Sequence, residues 1–163
     1  MRSETTSFLG LGSNLGNRSE NVRGAISALG KKEAISVDKV SSLYETEPEM
    51  VVEQPKFINC VVEIKTLLSP HELLAYLKEL EKKLGRTEGK RRGPRVIDLD
   101  ILLYDDVIVD EPGLQIPHRE LEKRIFVLVP LAEIAPDLRS PLSGKTIREL
   151  LILCKRANII KIV

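Results

Sequence analysis

Residues 95–106, RVIDLDILLYDD, constrain this chain more than any other stretch. Across 96–104 the side chains alternate. Ile97, Leu99, Ile101 and Leu103 fall on one side, and Asp98, Asp100, Leu102 and Tyr104 on the other. A period of two predicts a β-strand. Asp98 and Asp100 then share a face, with Cα atoms about 6.5–7 Å apart. Carboxylates so placed repel unless a cation sits between them, and magnesium suits that place because it brings substrate phosphates with it. Directly upstream the chain is basic: Arg86, Lys90, Arg91, Arg92 and Arg95 stand against Glu88 alone. Guanidinium groups clamp phosphate oxygens through paired N–H donors. Gly93-Pro94 supplies a turn between the basic run and the strand. A solvated strand face is the bland explanation of a lone Asp-x-Asp. Here the apolar opposite face and the abutting arginines favour a site for magnesium and a polyphosphate.

The chain has 163 residues, 42% of them hydrophobic, which suits one domain over 1–163 with its own core. Lys and Arg number 25 against 24 Asp and Glu, a balance that gives no support to a general nucleic-acid or membrane-surface role. Cys60 and Cys154 are too few for a disulfide framework or a structural zinc site, and Cys60 falls within an apolar strand pattern. The opening MRSETTS is polar and lacks a signal-peptide core, and no apolar run is long enough to span a bilayer. A soluble, cytoplasmic protein is the expectation.

In chain order, residues 8–11 read as a strand ended by Gly12-Ser13-Asn14. Gly10, Gly12 and Gly16 match neither a P-loop nor a dinucleotide fingerprint, so they are assigned to a tight turn and close packing. Val22, Ala25, Ile26 and Leu29 mark a helix face, with Gly30 as its stop. Residues 35–44 read as a second strand, and 45–56, with Pro48 and Pro55, as a long connection of the kind that is functional or mobile. Residues 57–66 form a third strand. Ile58, Cys60, Val62 and Ile64 face the core, while Phe57, Asn59 and Val61 share the face expected for the aspartates. Ser69-Pro70-His71-Glu72 is a capping box, with Leu73, Leu77, Leu80 and Leu84 as the buried stripe and Gly85 as the stop. The order strand, helix, strand, strand, helix, strand predicts an α+β, ferredoxin-like βαββαβ core with a mainly antiparallel sheet. After it come a short added hairpin beginning at 107–109 and a helix near Arg124 and Phe126, with Pro130 limiting its regularity. A last helix follows Thr146-Ile147-Arg148-Glu149, and 159–163 is a final strand or a docked tail.

FLGLGSNLGNR, SSLYETEP, FINCVVEIKT, LKELEKKLGR, RRGPRVIDLDILLYDD and IPHRELEKRIFVLVPLAEIAPD occur in that order over nearly the whole chain. Together they resemble the 6-hydroxymethyl-7,8-dihydropterin pyrophosphokinases, folate-pathway enzymes that move diphosphate from ATP to a pterin alcohol. The resemblance implies that Asp98 and Asp100 hold two magnesium ions, and that Arg86 and Arg95 act with them in catalysis. It implies contacts from Arg86, Arg95, His118 and Arg124 to the triphosphate, with Glu81 near the nucleotide and the Ile101 backbone reading adenine. Phe57 and Phe126 would sandwich the pterin, and Asn59 and the backbone around Thr46 would bond its polar edge. The 45–56 loop and the Arg-rich segment would close over ATP, and a monomer is implied. Arg92 stands where some members have Trp, and the segment between Arg86 and Gly93 is a residue shorter than in the best-known member, so the phosphate contact is left among Lys90, Arg91 and Arg92. The 49–53 loop lacks a glycine common in the family, which bears on how it closes.

Two rival readings also fit these residues. One is another nucleotide-dependent transferase with an Asp-x-Asp magnesium site, which a product other than AMP would reveal. The other is a non-catalytic ferredoxin-like RNA-binding or regulatory domain. Such sheets expose central aromatics, of which this chain has few, and two strand carboxylates repel a phosphate backbone.

Overall fold

A computed structural model of the chain describes residues 2–47, 53–85, 95–154 and 159–162. Its elements are β1 (Thr5–Ser13), α1 (Arg18–Lys31), β2 (Ile35–Val40), β3 (Leu43–Thr46), β4 (Phe57–Thr66) and α2 (Pro70–Lys83). Then come β5 (Asp98–Tyr104), β6 (Val109–Glu111), β7 (Leu114–Ile116), α3 (Ile125–Ile134), α4 (Ile147–Leu153) and β8 (Ile159–Ile162). The main sheet runs β5-β1-β4-β3-β8, with β2 also paired to β4. Every pairing in it is antiparallel. This is the ferredoxin-like order, in which the first and third strands of the motif lie centrally. β6 and β7 form the added hairpin, two residues later than the sequence places it, because Asp105 turns the chain at φ 50 and the Val107 N–H closes on Tyr104.

The sheet separates two apolar layers. Leu9, Leu11, Ile58, Cys60, Val62, Ile64, Ile97 and Leu99 pack on α1 and α2 through Val22, Ala25, Leu29, Leu73 and Leu77. On the opposite face Phe8, Val61, Leu102 and Leu103 pack on α3 and α4 through Leu128, Leu131, Ile147 and Leu150. The predicted capping box starts α2: Ser69 accepts from the Glu72 N–H, and Glu72 accepts from Ser69. Among the described residues no helix is long and apolar enough to cross a membrane.

Four expectations are corrected. The register of β5 against β1 shifts between Phe8 and Leu9, so Leu9 faces Ile101 and Phe8 faces Leu103. One extra residue in a strand exchanges the faces that follow it. Leu103 therefore joins the α3–α4 layer and Tyr104 the α1–α2 layer, the reverse of strict alternation. The 35–44 strand is two strands. Between them the Ser41 N–H donates to Val61 O and Ser41 Oγ accepts from the Val61 N–H, both at 2.9 Å, so a side chain replaces one rung of the ladder. Gly30 does not stop α1. The helix runs to Lys31, because Gly30 does not take the left-handed conformation that ends helices. β1 begins at Thr5 and reaches Ser13, since its whole length pairs with β4. Pro130 sits inside α3 and offers no N–H to the Phe126 carbonyl, yet the helix continues to Ile134. The tail left open in the sequence is a strand, β8, paired with β3.

Candidate active site

The α3–α4 layer covers part of its sheet face. Beside it lies a cleft of about 810 Å³, walled by the β6–β7 hairpin and the start of α3. The floor is set by β1. Gly12 is flanked by Asn59 on β4 and Asp98 on β5, and Gly10 by Val61 and Asp100. A Cβ at Gly12 would stand 2.7 Å from Asn59 Oδ1, so a larger residue there would have to displace the Asn59 amide. Alternate glycines on a strand mark a close approach. Here they set the acidic pair and the aromatic–amide group on opposite flanks of one floor, a role the sequence reading missed.

On the β5 flank, Asp98 and Asp100 both line the cleft. Burial, followed by the negative charge of Asp98, holds the Asp100 carboxyl well above the usual carboxylate range. Arg95 Nη1 donates to Asp98 Oδ2 at 2.9 Å. Two carboxylate oxygen donors on one strand face fit magnesium, which is held by one or two carboxylates and completes its shell with phosphates and water. Among the described residues no third His, Cys, Asp or Glu joins them to make a closed metal cage.

On the β4 flank, Phe57 and Asn59 line the cleft with Thr46 from the end of β3. Asn59 Nδ2 donates to Thr46 Oγ1 at 2.6 Å, and the amide oxygen lies toward Gly12. Phe126 closes this flank from α3, and the Arg124 guanidinium lies 5.5 Å from the centre of its ring. That cation–π contact joins the aromatic wall to the basic wall.

His118 lines the cleft after β7. Its Nδ1 accepts from the Glu120 N–H at 3.1 Å, which leaves the ring proton on Nε2. Burial, then the charge of Arg124, lowers its pKa and keeps the ring neutral. The site thus offers a neutral N–H donor beside two cations. Lys78, one turn of α2 before Glu81, also lines the cleft and acts electrostatically on Asp100. The sequence reading missed it, although an i,i+3 cation beside a buried acid was a usable signal.

Two residues expected near the nucleotide, Glu81 and Ile101, do not line the cleft; Ile101 was expected there through its backbone. Glu81 is 2% exposed, and its Oε2 accepts from the Leu99 N–H at 2.7 Å, on β5 between the two aspartates. The Ile101 side chain belongs to the α1–α2 layer. Arg86, Lys90, Arg91 and Arg92, with residues 48–52 of the long loop, fall outside the described residues.

A ferredoxin-like domain with an acidic pair, a basic wall and an aromatic–amide wall around one cleft has the parts of a phosphoryl-transfer enzyme. The chain belongs to the 7,8-dihydro-6-hydroxymethylpterin-pyrophosphokinase (HPPK) family, whose profile matches residues 8–136. It is 45% identical over 147 residues to a Methylorubrum extorquens 2-amino-4-hydroxy-6-hydroxymethyldihydropteridine pyrophosphokinase, covering 90% of this chain and 92% of that one. A Bacillus subtilis protein of the same name is 45% identical over 131 residues, covering 80% and 78%. The Schizosaccharomyces pombe folic acid synthesis protein fol1 is 44% identical over 144 residues, which are 88% of this chain and 20% of that longer one. The fold matches a crystal structure of Plasmodium falciparum HPPK-DHPS with pteroate at a TM-score of 0.76 and 16% identity, covering 94% of this chain and 43% of that chain.

Proposed function

We propose that this cleft transfers diphosphate from ATP to the hydroxymethyl oxygen of 6-hydroxymethyl-7,8-dihydropterin. The new bond joins that oxygen to the β-phosphorus. The bond from the β-phosphorus to the oxygen bridging it to the α-phosphorus breaks, and AMP leaves with that oxygen while the hydroxyl proton is released. The observation that carries this reading is the glycine floor, which sets the Asp98–Asp100 flank and the Phe57–Asn59 flank on either side of one opening. The family membership and the names of the bacterial relatives agree with it.

Phe57 and Phe126 hold the pterin ring by stacking, and Asn59 and the Thr46 backbone bond its polar edge. Arg95, Arg124 and His118 bind triphosphate oxygens; the neutral His118 contributes its Nε2–H as a directional donor. Asp98 and Asp100 are the groups that would hold magnesium. Bound there, magnesium would neutralise phosphate charge and make the attacking hydroxyl more acidic. Diphosphoryl transfer needs this placement and charge compensation more than a covalent nucleophile. All of these groups come from one chain, which supports a monomer as the working unit.

The test is a product assay with ATP, magnesium and the pterin alcohol, read by phosphorus NMR. One AMP and one pterin diphosphate per turnover are expected. ADP with a pterin monophosphate would overturn the assignment.

A further inference from the structure

Asn14, in the turn between β1 and α1, is completely buried. Its side chain is used on both sides. Oδ1 accepts from the Arg95 N–H at 2.7 Å, while Nδ2 donates to Gln54 Oε1 at 2.8 Å and to the Pro55 carbonyl at 3.1 Å. Its own N–H donates to the Arg95 carbonyl at 3.0 Å. These partners fix the amide's orientation, since the Arg95 N–H can only donate and the Pro55 carbonyl can only accept. A few residues on, Arg18 continues the grip. Nη1 donates to the Lys56 carbonyl at 2.8 Å, and Nη2 pairs with Glu45 at 3.0 Å. Hence the β1–α1 turn holds residue 95, three positions before Asp98, and residues 54–56, which lead directly into Phe57.

We infer that Asn14, aided by Arg18, is a positioning residue that sets the aromatic wall of the cleft against its phosphate wall. Neither side chain lines the cleft, so each acts through others. Arg95 reaches Asp98 from a backbone that Asn14 fixes, and Phe57 leaves a segment that Asn14 and Arg18 fix. A fully bonded buried amide has one favourable arrangement, and any shift of either segment leaves a buried polar group unpaired. The glycine floor sets the spacing within the sheet; the turn sets where the two chain segments enter it.

This inference rests on the pterin and ATP reading of the cleft. Two variants divide the grip. Asn14→Asp keeps the oxygen that receives the Arg95 N–H and removes both donors to 54–55. Arg18→Ala, at the partly exposed end, removes the donor to Lys56 and avoids a new buried charge. Steady-state constants for both substrates would be measured with thermal unfolding of each variant. In both variants the pterin KM is expected to rise about tenfold, the effect of about 1.4 kcal/mol of lost binding. The ATP KM should stay within about twofold of the parent, a shift under about 0.5 kcal/mol. Unchanged constants in folded Arg18→Ala protein would overturn the inference. So would equal rises for both substrates, which mean a general disturbance. If Asn14→Asp does not fold, Arg18→Ala decides alone. Parent protein that makes no pterin diphosphate overturns the functional reading and this inference with it, whereas an active parent with unchanged variants overturns this inference alone.

Discussion

The backbone N–H of Leu99 donates to the carboxylate of Glu81 at 2.7 Å. Leu99 stands between Asp98 and Asp100 on β5, the edge strand of the sheet, where outward N–H groups lack a strand partner. Glu81 reaches this edge from α2 and holds the strand from behind its acidic pair. Glu81→Ala removes that acceptor and leaves a buried donor unpaired. A stability loss of about 1–3 kcal/mol is expected, measured by denaturant unfolding. Glu81→Gln keeps an acceptor oxygen and should lose less. An alanine variant as stable as the parent would show that the tie contributes nothing.

Asp98 and Asp100 face the cleft and not the core, so replacing either separates chemistry from folding. Asp98→Asn and Asp100→Asn should each lower kcat roughly 10²–10³-fold, the scale for losing one group that stabilises transition-state charge. Asp98→Asn should lower stability by no more than about 1 kcal/mol, since the Arg95–Asp98 pair is a partly exposed ion pair. Asp100→Asn should instead raise stability at neutral pH, because it removes a carboxyl whose ionisation burial opposes. Turnover at saturating magnesium and binding of manganese to the free protein are the measurements. Near-parental turnover in both variants would remove the acidic pair from the mechanism.

Phe126 lies at the start of α3, with the Arg124 guanidinium 5.5 Å from its ring centre. Phe126→Ala should weaken pterin binding by about 1–3 kcal/mol, the value of one stacked aromatic partner. Arg124 would lose a cation–π contact of only about 0.5–1 kcal/mol, so ATP binding to pterin-free protein should change less. Calorimetric titration with each ligand alone reads both. Equal losses would mean that the substitution had disturbed the α3–α4 layer.

The parts of this fold legible in the sequence are those where local pattern and tertiary demand coincide. The strand Phe57–Thr66 alternates cleanly, and Ser69 with Glu72 caps α2 as its spacing requires. Asp98 and Asp100 were legible because they precede the bulge on β5. Leu103 and Tyr104 follow it and exchange faces, and the shift depends on the pairing with β1, which no local period encodes. The same holds at Ser41, whose hydroxyl takes a ladder position only once Val61 lies opposite. In the site, the sequence supplied residue types but not their neighbours. The family resemblance implies Glu81 near the nucleotide; no local pattern shows that its carboxylate accepts from the backbone of Leu99, 18 residues away. Asn14 was read as part of a turn, and its partners at Gln54, Pro55 and Arg95 are remote in sequence.

His118 provides a pH signature. Its folded pKa is lowered, first by burial and then by the charge of Arg124, against an opposing pull from Asp98 and Glu120. The unfolded chain takes its proton near the ordinary value of about 6.5. Between that value and the lower folded pKa, the unfolded state binds more protons than the folded state. Stability therefore falls as the pH drops through this window, and the histidine's contribution levels off below the folded pKa. Ring-proton NMR should show His118 titrating below the ordinary histidine value, with the neutral ring protonated on Nε2 because Nδ1 accepts from the Glu120 N–H. His118→Asn should shrink the acid-side loss of stability across the window. It should also weaken ATP binding, since the Nε2–H donor into the cleft is gone. A His118 that titrates at or above the ordinary value would reverse the sign of the stability effect, and a neutral donor to the triphosphate would no longer describe this residue.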